Sequence, residues 1–568
     1  MTKSRYWTSP ATHQGPQAGP QTIQPGAAPD AMTDYDYIIV GAGSAGCVLA
    51  NRLTADGRFT VLLLEAGGSD RRFWIQVPIG YGKSFYNPQV NWMYRTEPDP
   101  ALGGRQGYWP RGKVLGGSSS INAMVHVRGQ AADFDDWQAA GNPGWGWADV
   151  LPYFRRSEDN AAGADAWRAT GGPLHVSTID RDRHPTCLAY LQACREAGLP
   201  ITDDFNGAQQ EGAGLYQIAT KGGLRMSAAR AYLHPATGRA NLRVETDSHA
   251  ARLLFDGRRA RGIEYIRAGT RLVARARREV ILAAGAINSP QLLQLSGIGP
   301  AALLRRHGIP VVLDAPAVGR NLQDHLCIDH LYRARVPTLN QQLRPWWGKL
   351  RAGLAYLALR RGPLAISVNQ GGGFVRTRPG LDRPNMQLYF SPLSYTRGVP
   401  GKRALMQPDP FPGFLLSAQP CRPTSRGTIE IRSADPLEAP AIHPNSLATE
   451  HDRAELLEGS RFLRRLAAMP ALSGIIAAEM EPGPAVRSDA ELFEDIRRRA
   501  SSVFHPVSTC RMGPDAAEAV VDHRLRVHGI GGLRVIDASA FPAVTSGNTN
   551  APTIMLAEKG ADLVLADA

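Results

Sequence analysis

Three glycines and an acid near the start of the chain have the residue types and spacing of a dinucleotide site. Gly41, Gly43 and Gly46 form a Gly-x-Gly-x-x-Gly run, and Glu65 lies nineteen residues beyond it. The first glycine makes a tight turn, the second lets the backbone approach a pyrophosphate, and the third lets a helix pack closely on a strand. A carboxylate at Glu65 can accept hydrogen bonds from a ribose diol. The pattern therefore predicts a dinucleotide site.

The flanking sequence supplies the elements that such a turn needs. Residues 35–40 form a short apolar run typical of a strand, residues 47–53 have helical character, and residues 60–64 predict the next buried strand. The helix N-terminus then faces the phosphate charge. This context does not separate FAD from NAD, and that choice depends on the rest of the chain.

Further segments decide between the two cofactors. In order along the chain, they resemble the landmarks of the glucose–methanol–choline (GMC) oxidoreductases, in the choline-dehydrogenase-like branch, and the resemblance extends from about residue 35 to the C-terminus. It implies an FAD-dependent enzyme that acts on CH–OH donors. The segments are residues 111–122, 285–299, 319–325, 505–513, 537–539 and 547–552.

The resemblance also implies a fold. We expect an α/β (α+β mixed) architecture, in which a Rossmann-like FAD-binding domain is interrupted by a substrate domain with a mainly antiparallel sheet flanked by helices. The FAD-binding domain would comprise residues 34–155, 220–325 and 500–568, and the substrate domain residues 156–219 and 326–499. The alternation in residues 428–432 and the apolar run 386–390 predict strands of the second domain. Residues 1–33, rich in Gln, Pro, Gly and Ala, are predicted to be a disordered tail.

Two polar residues near the C-terminus carry the chemistry that the resemblance implies. An alcohol carbon releases hydride easily only when its oxygen loses a proton, so the site needs a base that works near neutral pH, and histidine suits this role. By resemblance His505 is that base. Asn548 occupies the family's second catalytic position, where its amide can donate a hydrogen bond to the developing alkoxide. The flavin N5 would accept the hydride.

The expected cofactor contacts combine the resemblance with local chemistry. Backbone amides in the glycine- and serine-rich run 116–119 can donate to flavin or phosphate oxygens, and the acid that ends the predicted strand 533–537, Asp537, can hold a ribityl hydroxyl. The predicted contacts are Gly41, Gly43, Ser44, Gly46, Glu65, Ala66, Trp92, Gly116, Ser118, Ser119, Asn122, Met124, Ala250, Ala284, Gly285, Asp537, Ala538 and Thr549.

Four other positions refine this prediction. Some family members attach FAD through a histidine before the signature asparagine; Ile121 stands there and cannot form the bond, so we expect noncovalent FAD. His126 replaces the usual aromatic residue or alanine and is expected to line the flavin region. His325 is interpreted as a fold landmark. Arg422 is interpreted either as a contact for an acidic substrate group or as a structural ion-pair residue.

Several functions remain open within the family. The leading hypothesis is an alcohol dehydrogenase that passes electrons to a quinone or another carrier, and the nearest alternative is an alcohol oxidase that uses oxygen. A hydroxynitrile-lyase-like non-redox enzyme, a photodecarboxylase-like enzyme and an inactive binding protein are further alternatives. The intact base His505 argues against the photodecarboxylase, and His505 with Asn548 argues against the binding protein.

The charge and the cysteine content limit which partners and cofactors we expect. The net charge of +13 is spread along the chain without a nucleic-acid motif, so we expect no nucleic acid and at most peripheral membrane contact. Six scattered cysteines and no clustered metal ligands predict neither a disulfide framework nor a metal. Without an export signal a cytoplasmic location is expected. The oligomeric state and the particular alcohol stay open.

Overall fold

Two seven-stranded sheets organise the chain, for which the computed structural model describes residues 34–396 and 407–568. The first sheet combines a parallel half, built around the strand Asp34–Val40, with an antiparallel half. Its strands, in spatial order, are Leu242–Glu245, Val61–Leu64, Asp34–Val40, Thr270–Leu282, Arg259–Arg267 and Ser248–Asp256, with Leu533–Val535 paired to Thr270–Leu282. The predicted tail 1–33 lies outside the described residues.

Apolar residues explain the parallel half. Val61–Leu64 is buried along its whole length, as expected for a strand covered on both faces. The strand Thr270–Leu282 joins the two halves, because its exposed first half pairs with Arg259–Arg267 while its buried second half pairs with Asp34–Val40. The helices Ser44–Leu53 and Asn550–Ala566 pack against each other beside this sheet.

The second sheet is antiparallel throughout. Its strands, in order, are Ile476–Glu481, Leu326–Ala334, Gly413–Pro420, Met386–Ser391, Gly371–Val375 and Gly212–Leu215, with Ser501–Ser502 paired to the start of Leu326–Ala334. The helices Glu450–Ala467 and Thr186–Glu196 pack on it. The predicted mixed α/β fold and the strand at 386–390 are confirmed. The predicted strand at 428–432 is shorter, Thr428–Glu430, and pairs with Ala441–His443 outside this sheet.

The remaining elements connect and cover the two sheets. Further helices are Phe73–Gln76, Tyr81–Ser84, Ala131–Ala139, Trp147–Ser157, His234–Ala236, Gly285–Leu295, Ala301–Arg306, Leu339–Leu343, Trp346–Leu359, Pro470–Ser473 and Asp489–Arg499. Two-stranded ribbons pair Tyr94–Asp99 with Arg105–Trp109, and Glu158–Asn160 with Leu174–Val176. The assignment of segments to two domains stays a prediction. No helix of the described residues is both long and apolar enough to cross a membrane.

Candidate active site

A cavity of about 870 Å³ is lined by residues of both sheets. This volume is at the upper end of the range for ligand pockets, roughly 300–1,000 Å³. Most of the residues predicted to bind cofactor or substrate share this one space. Those that line it are Gly41, Gly43, Ser44, Glu65, Ala66, Trp92, Ser118, Asn122, Met124, Ala250, Ala284, Gly285, His505, Asp537, Ala538, Asn548 and Thr549.

The glycine turn has the geometry that its spacing predicts. Gly41 follows the strand Asp34–Val40 directly and adopts φ +100°, a backbone conformation that residues other than glycine rarely adopt. A Cβ on Gly46 would lie 1.8 Å from the Gly41 carbonyl oxygen, so only glycine permits this helix packing. Gly46 itself does not line the cavity, whereas Gly43 and Ser44 do. The helix start therefore presents backbone amides to the cavity, as a pyrophosphate site requires.

Glu65 lies at the end of the neighbouring parallel strand, Val61–Leu64. Its two carboxylate oxygens accept hydrogen bonds from the backbone N–H groups of Ala42, at 3.0 Å, and Gly67, at 2.8 Å. Burial raises the pKa of this carboxyl to about 7, although both hydrogen bonds oppose the shift. The carboxylate thus fixes the glycine turn, and its remaining lone pairs are available to ribose hydroxyls.

The signature run 116–122 lies opposite the glycine turn. Gly117 comes so close that a Cβ there would lie 2.7 Å from the Gly43 Cα atom. Ser118 faces the cavity, but Gly116 and Ser119, which were also predicted to contact the cofactor, do not line it. Because residues Gly117–Ser120 form a 3₁₀ turn, successive side chains point in different directions. The Ser119 hydroxyl is directed inward, where it donates to the Gly116 carbonyl at 2.5 Å.

Two further side chains of the cavity wall, Asn122 and Trp92, are held by neighbouring residues. The Asn122 side-chain oxygen accepts from the Arg225 guanidinium at 2.8 Å and from the Met124 N–H at 3.0 Å. Trp92 stacks on the Tyr94 ring with a centroid separation of 5.8 Å. These contacts fix the Asn122 and Trp92 side chains at the cavity.

Asp537 lines the cavity and also has a structural role, and its predicted contact with a ribityl hydroxyl stays a prediction. Its carboxylate accepts four hydrogen bonds from the protein: Oδ2 accepts from the Gly285 N–H and the Ser289 hydroxyl, and Oδ1 from the N–H and hydroxyl of Ser539. The acid therefore joins the start of the helix Gly285–Leu295 to the C-terminal strand, and its side chain anchors the cavity wall.

His505 lines the same cavity from a loop, and the residue is 8% exposed. Its Nδ1 lies 3.0 Å from Nδ1 of His325, and the His325 Nε2 lies 3.0 Å from the Cys421 carbonyl oxygen. The His505 backbone N–H donates to the Asp324 carboxylate at 2.7 Å. His325 thus holds the His505 ring, and Asp324 holds the backbone that carries it.

These contacts determine which ring nitrogen of His505 carries a proton. The Cys421 carbonyl only accepts, so the His325 Nε2 must carry hydrogen. Burial lowers the pKa of His325 to about 4, so the ring is neutral and its Nδ1 is an acceptor. The His505 Nδ1 must then donate. In neutral His505 this leaves a lone pair on Nε2, the nitrogen that is free to take a proton.

Asn548 completes the arrangement. Its Nδ2 lies 3.1 Å from the His505 Nε2, and its Oδ1 accepts from the Gln387 amide at 3.4 Å. The Gln387 amide also donates to the Tyr216 hydroxyl at 3.1 Å, and that hydroxyl donates to a strand carbonyl. The chain of donors orients the Asn548 amide with its N–H groups toward the space in front of His505.

Burial and nearby charges favour the neutral form of His505. Burial is the largest cause that lowers its pKa well below the ordinary value, and His325 and Arg111 add to it. The half-buried Arg111 guanidinium donates to the Phe504 carbonyl at 2.6 Å, and desolvation lowers the pKa of Arg111 to about 10, so it stays charged at neutral pH. Burial raises the pKa of Asp324 to about 6. His505 is therefore an unprotonated base beside a fixed positive charge.

Three sequence interpretations need comment. His126 does not line the cavity: it is buried with its Nε2 3.6 Å from the Glu158 carboxylate, because its side chain points away from the wall that Val125 forms. Arg422 donates to the neutral groups of Gln130, Pro384 and Ser546, and its charge acts on the buried Asp133, which supports the structural interpretation. His325 is more than a landmark, since its ring contacts His505.

Sequence reasoning missed Asp324, Arg111 and Gln387. Asp324 lies next to the end of the family-like segment 319–325, and Arg111 is the first residue of the segment 111–122. These motifs therefore contained both residues, although no role was predicted for either. Gln387 lies in a plain apolar strand and gave no such signal. In the described parts of the chain, no group of three or more His, Cys, Asp or Glu could hold a metal ion.

Comparison with known proteins identifies the family. The N-terminal model of the GMC oxidoreductases matches residues 35–327, and the C-terminal model matches residues 423–557. The chain belongs to the GMC oxidoreductase family. It is 45% identical over 540 residues to mitochondrial choline dehydrogenase of Mus musculus, covering 94% of this chain and 89% of that protein. It is 44% identical over 535 residues to an alcohol dehydrogenase [acceptor] of Pseudomonas putida, covering 94% and 96%.

A solved structure gives the same result for the fold. A point variant of formate oxidase from Aspergillus oryzae, studied for the effect of the mutation on FAD modification, superimposes with a TM-score of 0.88 at 28% identity, covering 95% of this chain and 99% of that one. The GMC fold, the FAD cofactor and the assignment as an oxidoreductase acting on CH–OH donors are therefore established for this chain. The residues of the glycine turn and of the signature run provide a cradle that fits FAD.

Proposed function

We propose that this GMC oxidoreductase is an alcohol dehydrogenase that converts an alcohol to an aldehyde or ketone, with His505 as the general base and Asn548 as the donor to the alcohol oxygen. The observation that carries the proposal is the chain of contacts from the Cys421 carbonyl through His325 to His505. It leaves the His505 Nε2 unprotonated, next to the Asn548 amide, at the wall of the cavity.

The reaction follows from these positions. FAD, when bound, supplies the acceptor for the hydride that leaves the alcohol carbon. The alcohol hydroxyl donates to the His505 Nε2 and transfers its proton there. The Asn548 N–H and the positive charge of Arg111 stabilise the negative charge that develops on the oxygen. The proton on Nε2 makes the ring cationic, and its Nδ1–H stays bonded to His325.

We propose that FAD is bound noncovalently. Ile121 lines the cavity at the position before the signature asparagine, and its side chain has no nucleophile. Glu65, the glycine turn and the wall around Asn122 and Trp92 would hold the cofactor by hydrogen bonds and packing. Acid precipitation should release the yellow flavin into the supernatant; flavin retained in the pellet would show a covalent link.

The electron acceptor is proposed to be a quinone or another carrier. The similarity to an alcohol dehydrogenase [acceptor] of Pseudomonas putida supports this choice, and a 43% identity to an oxygen-dependent choline dehydrogenase of Vibrio vulnificus supports oxygen as the alternative acceptor. After anaerobic reduction by substrate, the enzyme should be reoxidised faster by a soluble quinone analogue than by air-saturated buffer. Faster reoxidation by oxygen would make the protein an alcohol oxidase.

An anaerobic reduction screen tests the proposed reaction. Purified holoenzyme is mixed under argon with choline and with alkyl, aryl, amino and sugar alcohols, and flavin absorbance is followed by stopped flow. We expect at least one alcohol to bleach the flavin in stoichiometric amount and to yield its aldehyde or ketone. Turnover of an alcohol or cyanohydrin without bleaching would instead indicate a non-redox enzyme.

A further inference from the structure

The helix Trp346–Leu359 exposes an unusual amount of apolar surface. Thirteen large apolar side chains are exposed among the described residues, and six of them lie on this one helix. Trp346 is 76% exposed and Leu357 is 61% exposed. The six are Trp346, Trp347, Leu350, Leu354, Leu357 and Leu359. Single exposed apolar residues are common on protein surfaces. A contiguous patch of them usually marks a surface that contacts another molecule.

Helix geometry separates three faces. At 100° per residue, Trp346, Leu354 and Leu357 lie within about 40° of Leu350 and form one stripe. Lys349 and Arg351 are placed about 100° to either side of Leu350, so one basic side chain borders each edge of the stripe. Both are exposed.

The third face holds the helix on the protein. Gly348, Ala352 and Tyr356 recur every four residues and are the buried residues of this helix. A Cβ on Gly348 would lie 2.2 Å from the Gln342 carbonyl oxygen, and the Tyr356 hydroxyl donates to the Gly223 carbonyl at 3.0 Å. The helix is thus seated by small residues and one hydrogen bond, and its leucines and tryptophans face outward.

The segment of sequence that carries the stripe is basic, and two of its arginines, Arg376 and Arg378, pair with glutamates elsewhere in the chain. Residues 330–381 contain nine Arg and Lys residues and no Asp or Glu. Near the end of the helix, a shallow groove joins Leu357 and Arg360 to Arg71, Arg72 and the 55%-exposed Phe73. The next residue, Trp74, carries the Lys83 ammonium over its ring at 3.7 Å. The apolar patch and its basic border therefore extend onto a second segment.

We propose that this surface, the Trp346–Leu359 helix with Phe73 and Trp74, docks onto an anionic phospholipid bilayer, with the helix lying in the plane of the interface. Tryptophan and leucine on one face, with Lys and Arg at its edges, are typical of interfacial helices. The basic side chains reach anionic headgroups while the stripe enters the boundary of the acyl chains. A second copy of the chain fits less well, because pairing two such faces would bring Lys349 and Arg351 of both copies together without acidic partners.

The position of the helix links this surface to the cavity. Its buried Ala352 belongs to the apolar cluster that also contains Tyr81, Met124 and Val368, and these three residues line the cavity. A docked helix would therefore hold this wall of the cavity close to the bilayer. The use of this position for a membrane-dissolved alcohol or quinone rests on the proposed function, whereas docking itself does not.

Vesicle binding tests the proposal with the holoenzyme. Sedimentation with vesicles of phosphatidylcholine and phosphatidylglycerol should deplete the yellow protein from the supernatant, and pure phosphatidylcholine or high salt should weaken binding. The variant Leu350→Ser/Leu354→Ser/Leu357→Ser should lower the partition coefficient by at least about tenfold. Lys349→Glu/Arg351→Glu should lower it on anionic vesicles by a larger factor than on neutral vesicles. The control Leu437→Ser, 63% exposed outside this surface, should bind like wild type.

Two outcomes would overturn the proposal. One is wild-type protein that stays in the supernatant with anionic vesicles; the other is a triple serine variant that binds as well as wild type. Light scattering of the same samples identifies the alternative occupant: if wild type is a dimer and the triple variant a monomer, the face is a contact between copies. Flavin absorbance and reduction by alcohol should be unchanged in the variants, so failure of docking and failure of the proposed alcohol oxidation are distinguishable.

Discussion

The glycine turn at residues 41–46 and the polar chain around His505 are built in opposite ways. The turn lies within one strand–turn–helix segment, and a single remote acid, Glu65, secures it. The polar chain joins His325, Cys421, His505 and Asn548, which come from four separate segments of the sequence. One region is local in the chain, and the other exists only after folding.

This difference has an energetic consequence. At the turn, several backbone amides and one carboxylate share the task of holding a cofactor, so each contributes a modest part of the affinity. Along the polar chain, each hydrogen bond fixes the donor or acceptor role of the next group. A change in the chain should therefore alter rate strongly and FAD content little, and a change at the turn should do the reverse.

His505→Ala is the strongest test of the catalytic region. General base catalysis contributes roughly 10²–10⁴-fold, so the rate of flavin reduction by alcohol should fall by that order, while the FAD content stays near wild type. Stopped-flow reduction under argon measures the rate, and absorbance measures FAD content. His528→Ala is a matched control, because His528 bonds to the Gly513 carbonyl and does not line the cavity. An unchanged reduction rate in His505→Ala would remove His505 as the base.

Asn548→Ala should have the next largest effect. It removes one donor to the developing alkoxide, and comparable donors contribute about 10²–10³-fold. Because Asn548 and His505 contact each other and act on the same oxygen, the double variant should lose less than the product of the two single losses. Anaerobic reduction of the four proteins of this cycle provides the measurement. Strictly multiplicative losses would show that the two side chains act independently.

The same contrast explains what could be predicted from the sequence. The elements around Gly41 and Glu65 were correct because turn, helix and strand follow one another within about thirty residues. The role of His325 was missed because its contact with His505 spans 180 residues and depends on the start of one strand meeting a C-terminal loop. Local patterns do not contain such a contact.

The differences at the cavity wall have local causes. Ser119 and His126 belong to segments that do reach the cavity, but neighbouring residues, Ser118 and Val125, provide the lining side chains. In a 3₁₀ turn the next side chain points about 120° away, and in extended backbone it points to the opposite face. A motif therefore located the wall correctly without fixing the side chains that form it.

His325→Ala should give an intermediate loss. Without His325, the Nδ1–H of His505 loses its acceptor, at a cost of about 1–3 kcal/mol, which corresponds to a roughly 5- to 150-fold slower flavin reduction. His325→Asn places a side-chain oxygen near the former Nδ1 and should recover part of the rate. Stopped-flow reduction of both variants, with FAD content measured in parallel, separates this positioning role from a loss of fold.

The pH profile of the same reaction is the sharper readout. Burial, His325 and Arg111 hold the pKa of His505 well below its ordinary value. Because the neutral ring is the base, the wild-type rate should be flat near neutral pH and fall about tenfold per unit only below that lowered pKa. Arg111→Met removes one lowering charge, so in that variant the acid limb should move to higher pH. An unmoved limb in Arg111→Met would mean that the Arg111 charge does not act on His505.

Glu65→Gln should have the smallest effect, on affinity. The amide keeps one oxygen but replaces the other with an NH₂ group, which cannot accept from a backbone N–H or a ribose hydroxyl. We expect the Kd of FAD to rise about fivefold, equivalent to about 1 kcal/mol, with an unchanged rate of flavin reduction in the loaded enzyme. Titration of apoprotein by flavin fluorescence measures the Kd. Glu245→Gln is the control, since Glu245 ends the adjacent strand but does not line the cavity.

The pH dependence of this affinity distinguishes a ribose contact from a purely structural acid. Burial raises the pKa of Glu65 to about 7, so the carboxyl is largely protonated at pH 6 and ionised at pH 8. If ribose hydroxyls donate to the carboxylate, FAD binding favours the ionised form, and the wild-type Kd should fall as pH rises through 7. The Glu65→Gln protein has no such group and should show a flat profile over this range. Parallel profiles in the two proteins would leave Glu65 as a support of the glycine turn without a contact to the cofactor.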